Sequence, residues 1–329
     1  MLMGIAKTEI RAVLWGSSEE SLPSLRKLAD MGILRAVCTV PDRPARRGLA
    51  VASSPVKRAA LGMGVAAHTP EALGPAADLD FLEELEPDLF VVVSYGRILP
   101  RAVLERARLG GINLHPSYLP AYRGTSPVAA AILDGAAETG ASLIVMNERM
   151  DAGPVLAVAP PRPIGPETAR EGLQAALFRD GAELLPRAIA ELAAGTARAA
   201  PQDESAATYT PKLSRGDGEV DWGESAELIA RKVRAYEGWP GVFSSWGGRR
   251  LKLLAAAPLA HAVARAARAN GNGNGLGVGE AGLLDGRLAV GCGEGALELV
   301  RLQLESRRAM AAEQFLGGAP KFIGAKLPS

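Results

Sequence analysis

The chain has 329 residues, more than one core usually organises and suited to two domains. With 48% hydrophobic and 22% charged residues it reads as globular, and no stretch approaches the ~20 apolar residues of a membrane span. A net charge of +1 gives no sign of a molecule that binds polyanions over its whole surface.

The opening MLMGIAKTEI lacks a secretory core. Cys38 and Cys292 lie far apart in apolar or glycine-rich contexts. Together these predict reduced thiols in a cytoplasmic protein. Residues 11–199 then alternate strand and helix. RAVLWG (11–16) is the first strand, and a helical pattern over 18–31 carries Leu22, Leu25 and Leu28. RAVCTV (35–40), DLFVVVSYG (88–96), GINLH (111–115) and ASLIVMNE (141–148) continue the strands, and one long helical pattern over 168–194 closes this half. Val- and Ile-rich runs alternating with helices predict a parallel α/β sheet, in which ligands bind beyond the carboxyl ends of the strands. The stretch 196–213 is small and polar without a period and reads as an interdomain linker. DWGESAELIARKVRAY predicts a helix with Leu228, Ile229 and Val233 on one face. Short glycine-punctuated strands follow and predict a small β-barrel. Within them 261–277 is low in complexity and predicts a mobile loop. The domain limits are therefore 1–199, a linker over 200–219, and 220–329.

Several motifs fail their context. Gly277 to Gly282 fits G-x-G-x-x-G but follows no apolar strand and opens no helix. His68, His115 and His261 are scattered without metal-ligand spacing, so no metal site is expected. The segment GINLHPSYLP (111–120) is different. Alternation along a strand puts Asn113, His115 and Ser117 on one face and Ile112 and Leu114 in the core. An amide and an imidazole aimed at one spot could hold a developing oxyanion. A satisfied core histidine beside a structural asparagine fits the same residues. Asp151, in ERMDAGPVL, lies in the turn after 141–148, where a carboxylate could reach the edge of an adjacent strand.

NLHPSYLPAYRG and DAGPVL, in that order and at that spacing, resemble the signature segments of 10-formyltetrahydrofolate-dependent formyltransferases. TVPDRPARRGLAVASSPVK (39–57), TYTPKL, DWGESA and YEGWPGVFSSWGGRRLKL resemble the branch that formylates methionyl initiator tRNA, so the likeness spans nearly the whole chain. The resemblance implies a Rossmann-like formyltransferase domain followed by a small OB-like β-barrel that binds tRNA. It implies direct attack of the methionyl α-amine on the formyl carbon through a tetrahedral intermediate, with no metal. Asn113 and His115 would hold the oxyanion, and Asp151 would orient His115 and help take the amine proton. The formyl donor, 10-formyltetrahydrofolate, would lie along Tyr95, Gly96 and Arg97 and the turn of Ser117, Tyr118, Leu119 and Pro120. Arg43, Arg46, Arg47 and Lys57 would contact the acceptor stem, and the enzyme would be a monomer. Tyr118 stands where the signature has Leu, which bears on the pocket's shape. The nearest rival is an N-formyltransferase acting on an amino sugar of a nucleotide.

Overall fold

The structure, a computed structural model, describes residues 10–44, 51–73, 79–259 and 275–328; of Arg43, Pro44 and Val51 it describes the backbone only. Arg46, Arg47 and most of the segment 261–277 lie outside the described residues. The chain divides into two compact units. The first takes in residues 1–127, 138–163 and 174–210, and the second takes in 128–137, 164–173 and 211–329. The last crossing between them falls at residue 210, inside the stretch 200–219 read as a linker, and two short segments from the first half of the chain belong to the second unit.

The first unit is built on seven strands: β1 (Ala12–Gly16), β2 (Leu34–Cys38), β3 (Ala66–His68), β4 (Leu89–Val93), β5 (Gly111–His115), β6 (Ser142–Val145) and β7 (Val155–Val158). Their order across the sheet is β7-β6-β5-β4-β1-β2-β3. Every residue of β1 and β4 is buried, which is why both read as unbroken apolar runs rather than as alternation. From β5 to β3 the pairs are parallel. β6 breaks the pattern by running antiparallel to both β5 and β7. The turn 146–154 joining β6 to β7 is too short for the crossover that parallel neighbours require. The amino ends of β1 and β4 are tied by buried Asp88, which accepts from Arg11 N at 2.9 Å and Nε at 3.3 Å and from Arg108 Nε at 2.9 Å. Burial pushes the Asp88 carboxyl up, and these hydrogen bonds outweigh it, so the net shift is downward.

The long helix expected over 168–194 is two, Arg170–Ala182 and Leu185–Ala193. Pro186 explains the break: it lacks an N–H and sits in the first turn of the second helix, where none is needed.

The second unit carries an antiparallel sheet of β8 (Val242–Trp246), β9 (Arg249–Pro258), β10 (Ala281–Leu284), β11 (Arg287–Gly291), β12 (Ala296–Leu304) and β13 (Met310–Ala311), in the order β8-β9-β12-β11-β10 with β13 on β12. Helix Ala226–Ala235 buries Ile229, Ala230 and Val233, and Ser225 caps it by accepting from Leu228 N. Trp246, Phe315 and Phe322 meet edge to face. Several cations of this unit are engaged internally. Lys232 pairs with Glu224 at 2.5 Å, and Arg234 donates to the carbonyls of Gly165 and Thr168.

Candidate active site

β5 places Asn113 and His115 on one face at its carboxyl end, with Ile112 and Leu114 buried on the other. The turn 146–154 folds back so that Asp151 meets them. Asn113 Nδ2 donates to Asp151 Oδ1 at 3.3 Å, and His115 Nδ1 lies 3.6 Å from Asp151 Oδ2. The three residues singled out from two separate segments therefore gather at one point. The second distance is too long for a hydrogen bond and short enough for an ion pair.

Two neighbours complete the geometry. His115 Nε2 lies 2.9 Å from the Tyr122 carbonyl, which can only accept, so this nitrogen carries a proton. Nδ1 is then the nitrogen left for chemistry, and it faces the carboxylate. Gly124 N donates to Asp151 Oδ2 at 2.8 Å. Asp151 itself has φ +50°, a left-handed conformation that a non-glycine residue keeps only when its surroundings hold it there. Gly124 must be glycine: its φ is +109° and a Cβ would overlap the Thr210 carbonyl.

The residues expected along the folate divide into two groups. The Tyr95 ring is core, buried edge to face against Trp15, and its hydroxyl has no partner among the described residues. Burial pushes that phenol up to about 12. Only backbone at this position can meet a ligand, and the Tyr95 carbonyl already accepts from Ser17 Oγ. Gly96 is exposed, and Arg97 donates to the carbonyls of Pro70 and Glu71, fixing the segment beyond β4. Ile98 beside them is exposed and apolar. In the second turn, Ser117 is buried and donates to the Ala121 carbonyl at 2.7 Å. Leu119 N donates to Ser142 Oγ, and Tyr118 reaches the Ala159 carbonyl at 2.9 Å. Tyr118 thus fills the space over Gly140.

Lys57, expected on nucleic acid, forms an ion pair with Asp42 at 2.7 Å. That hydrogen bond foremost holds the Asp42 carboxyl below its usual range. Arg43–Pro44 pairs with Val51–Ala52 just inside this ion pair.

Sequence reasoning missed a set of residues between 122 and 210. Arg123 is fully buried and bonds Gln202, Glu204 and Tyr209. Tyr209–Thr210 pairs with Arg123–Gly124 as a parallel bridge. The YRG triplet, with a charge placed beside the motif, was the one available signal. Among the described residues no cluster of three metal-ligating side chains occurs, and no helix is long and apolar enough to cross a membrane.

Comparison with known proteins gives consistent matches. Residues 17–189 match the family described as Formyl transferase, and 212–320 match Formyl transferase, C-terminal domain. The methionyl-tRNA formyltransferase of Acidiphilium cryptum (strain JF-5) is 39% identical over 321 residues, covering 97% of this chain and 100% of that protein. That of Roseiflexus castenholzii (strain DSM 13941 / HLO8) is 45% identical over 249 residues, covering 75% of this chain and 79% of that protein. In fold, the chain resembles an N-formyltransferase from Helicobacter canadensis in complex with folinic acid and dTDP-3-aminofucose (TM-score 0.63, 15% identity, 88% of this chain and 98% of that one). It also resembles HypX from Aquifex aeolicus in complex with tetrahydrofolic acid (TM-score 0.61, 19% identity, 96% of this chain) and spans 48% of that longer chain.

Proposed function

The chain belongs to the formyltransferase family, its near relatives being methionyl-tRNA formyltransferases, and from that premise we propose that Asn113, His115 and Asp151 are its catalytic residues. The reaction is transfer of a formyl group from 10-formyltetrahydrofolate to the α-amine of methionyl initiator tRNA. The observation that carries the site is the meeting of the three side chains, with Asp151 bonded to Asn113 and within ion-pair reach of His115.

The acceptor amine has an ordinary pKa near ~8, so a useful fraction is neutral at pH 7 and needs no protein nucleophile. When the amine attacks, negative charge moves onto the formyl oxygen. An amide has two N–H donors; Asn113 has one on Asp151, and the second serves that oxygen. As the new C–N bond forms, the amine gives up a proton. His115 Nδ1 holds the lone pair that takes it, directly or through Asp151, and the carboxylate stabilises the imidazolium. The same proton returns to N10 of the folate as the old C–N bond breaks, so the enzyme ends unchanged. What the bound folate supplies is the activated formyl group. Its fit rests on the fixed backbone of Gly96–Arg97, on exposed Ile98, and on the turn 117–120, whose side chains are engaged with protein and which offers shape and backbone.

We assign Arg43, Arg46, Arg47 and Lys57 to the acceptor stem and residues 220–329 to tRNA binding. The Asp42–Lys57 pair supports a framing part for Lys57, with phosphate contact falling to the arginines. We also assign the protein to the cytoplasm as a monomer.

One assay tests this reading. The enzyme is incubated with 10-formyltetrahydrofolate and Met-tRNA, a nucleotide amino sugar, or neither, and the formyl group is followed. Transfer to Met-tRNA is expected, and Asn113→Ala should lower kcat about 100–1000-fold with an unchanged melting curve. Transfer to the sugar alone would overturn it.

A further inference from the structure

We infer that residues 202–210 form a strap that sets the geometry of the catalytic pair, with Gln202 as the positioning residue for Asp151. This rests on the assignment of Asp151 and His115 to catalysis.

The Gln202 amide has a double grip. Its Nε2 donates to the Asp151 carbonyl at 2.8 Å and to the Gly153 carbonyl at 2.6 Å. Its Oε1 accepts from Arg123 Nε at 3.0 Å and Nη2 at 2.8 Å. Both N–H groups and the oxygen are engaged, so the amide has one orientation; a flip would set oxygen against carbonyls and NH2 against a guanidinium. Arg123 is equally committed. Its remaining donors go to Glu204, at 3.1 Å from both Nη1 and Nη2, and to the Tyr209 hydroxyl at 2.9 Å. A fully buried guanidinium is costly unless every donor is met, and here each one is. The Glu204 carboxylate, hydrogen-bonded to Arg123, falls below its usual range.

The backbone on either side of Arg123 holds the reacting groups. The Tyr122 carbonyl holds His115 Nε2, and Gly124 N holds the Asp151 carboxylate. The strap fixes this triplet as well. Thr208 O accepts from Arg123 N, Thr208 Oγ1 accepts from Tyr122 N at 2.7 Å, and Thr210 Oγ1 donates to the Arg123 carbonyl. Asp151 is therefore held at its carboxylate by residue 124 and at its carbonyl by Gln202, and both supports lead back to Arg123. That double hold explains how it keeps φ +50°.

Gln202→Glu separates positioning from support. A carboxylate keeps the acceptor for Arg123 and loses both donors to the catalytic turn. In formyl transfer to Met-tRNA we expect kcat to fall about 10–100-fold, the range for a displaced catalytic group, with KM for both substrates within about twofold and a smaller drop in Tm than Gln202→Leu gives. Amide hydrogen exchange over 149–153 should speed up in the same variant without substrate present. Gln202→Leu should show the same loss of kcat together with a lower Tm. A Gln202→Glu enzyme with kcat within threefold of the parent, or with unchanged exchange over 149–153, would overturn the inference. If the parent enzyme formylates Met-tRNA and Asn113→Ala does not disable it, the fault lies with the site assignment instead.

Discussion

At the scale of single residues, Tyr95 separates what a motif names from what a side chain does. The segment beyond β4 reads in sequence as a ligand edge because it ends an apolar run at the carboxyl end of the sheet, and the structure bears out that position in the sheet. That the ring itself turns inward could not be read from sequence, since a tyrosine serves equally as core or as pocket wall. Its hydroxyl is buried without a partner, and its pKa is raised from 10.0 to about 12, chiefly by burial. Tyr95→Phe should therefore raise stability by about 1 kcal/mol, read from urea unfolding. The pH dependence follows from the sign of the shift. The native phenol keeps its proton when the unfolded one has lost it, so its contribution is full below about pH 10 and declines towards pH 12. The phenylalanine variant should lose less stability across that window, and an equal loss would show that the ring is solvated.

At the scale of elements, β1 and β4 were readable because burial on both faces leaves continuous apolar runs, and β5 because Ile112 and Leu114 alternate with Asn113 and His115. The reversal of β6 was not, because strand polarity depends on how the chain returns and apolar content is the same either way. The strap was the least legible part. A glutamine in a polar stretch without periodicity carries no signature, and its meaning comes only from the carbonyls and the guanidinium set around it. Asn113, His115 and Asp151, by contrast, were named by two short segments whose spacing the fold then brought together. Tyr118 shows how an unusual residue is accommodated. Its ring lies where a Cβ at Gly140 would go, and its hydroxyl bonds to the Ala159 carbonyl. Gly140→Ala should cost about 1–3 kcal/mol by forcing the ring aside. Tyr118→Leu should recover most of that loss in the double variant, as measured by a thermal double-mutant cycle. Strict additivity would mean that the two positions do not meet.

At the scale of the whole molecule, the boundary between the units does not coincide with a single cut in the chain. Residues 128–137 and 164–173 belong to the second unit. Arg231 donates to the Leu133 carbonyl, Arg234 to those of Gly165 and Thr168, and Arg170 to that of Glu237. Ending the chain at Thr210 removes these partners together and uncovers the apolar residues Val128, Ala129, Ala131 and Ile132 of the segments left behind. The truncated protein should aggregate or melt well below the full chain on gel filtration and circular dichroism. A stable, monodisperse fragment would show that the two segments stand without them. The short ladder of Arg43–Pro44 with Val51–Ala52, closed from outside by Asp42 and Lys57, has a different reach. Such a frame makes the intervening stretch modular: its length and composition can drift, or be transplanted from another scaffold, while both attachment points keep their register. Because closure entropy grows only by about 0.6 kcal/mol for each doubling of the length closed, attachment points held in this way tolerate insertions at little cost in stability.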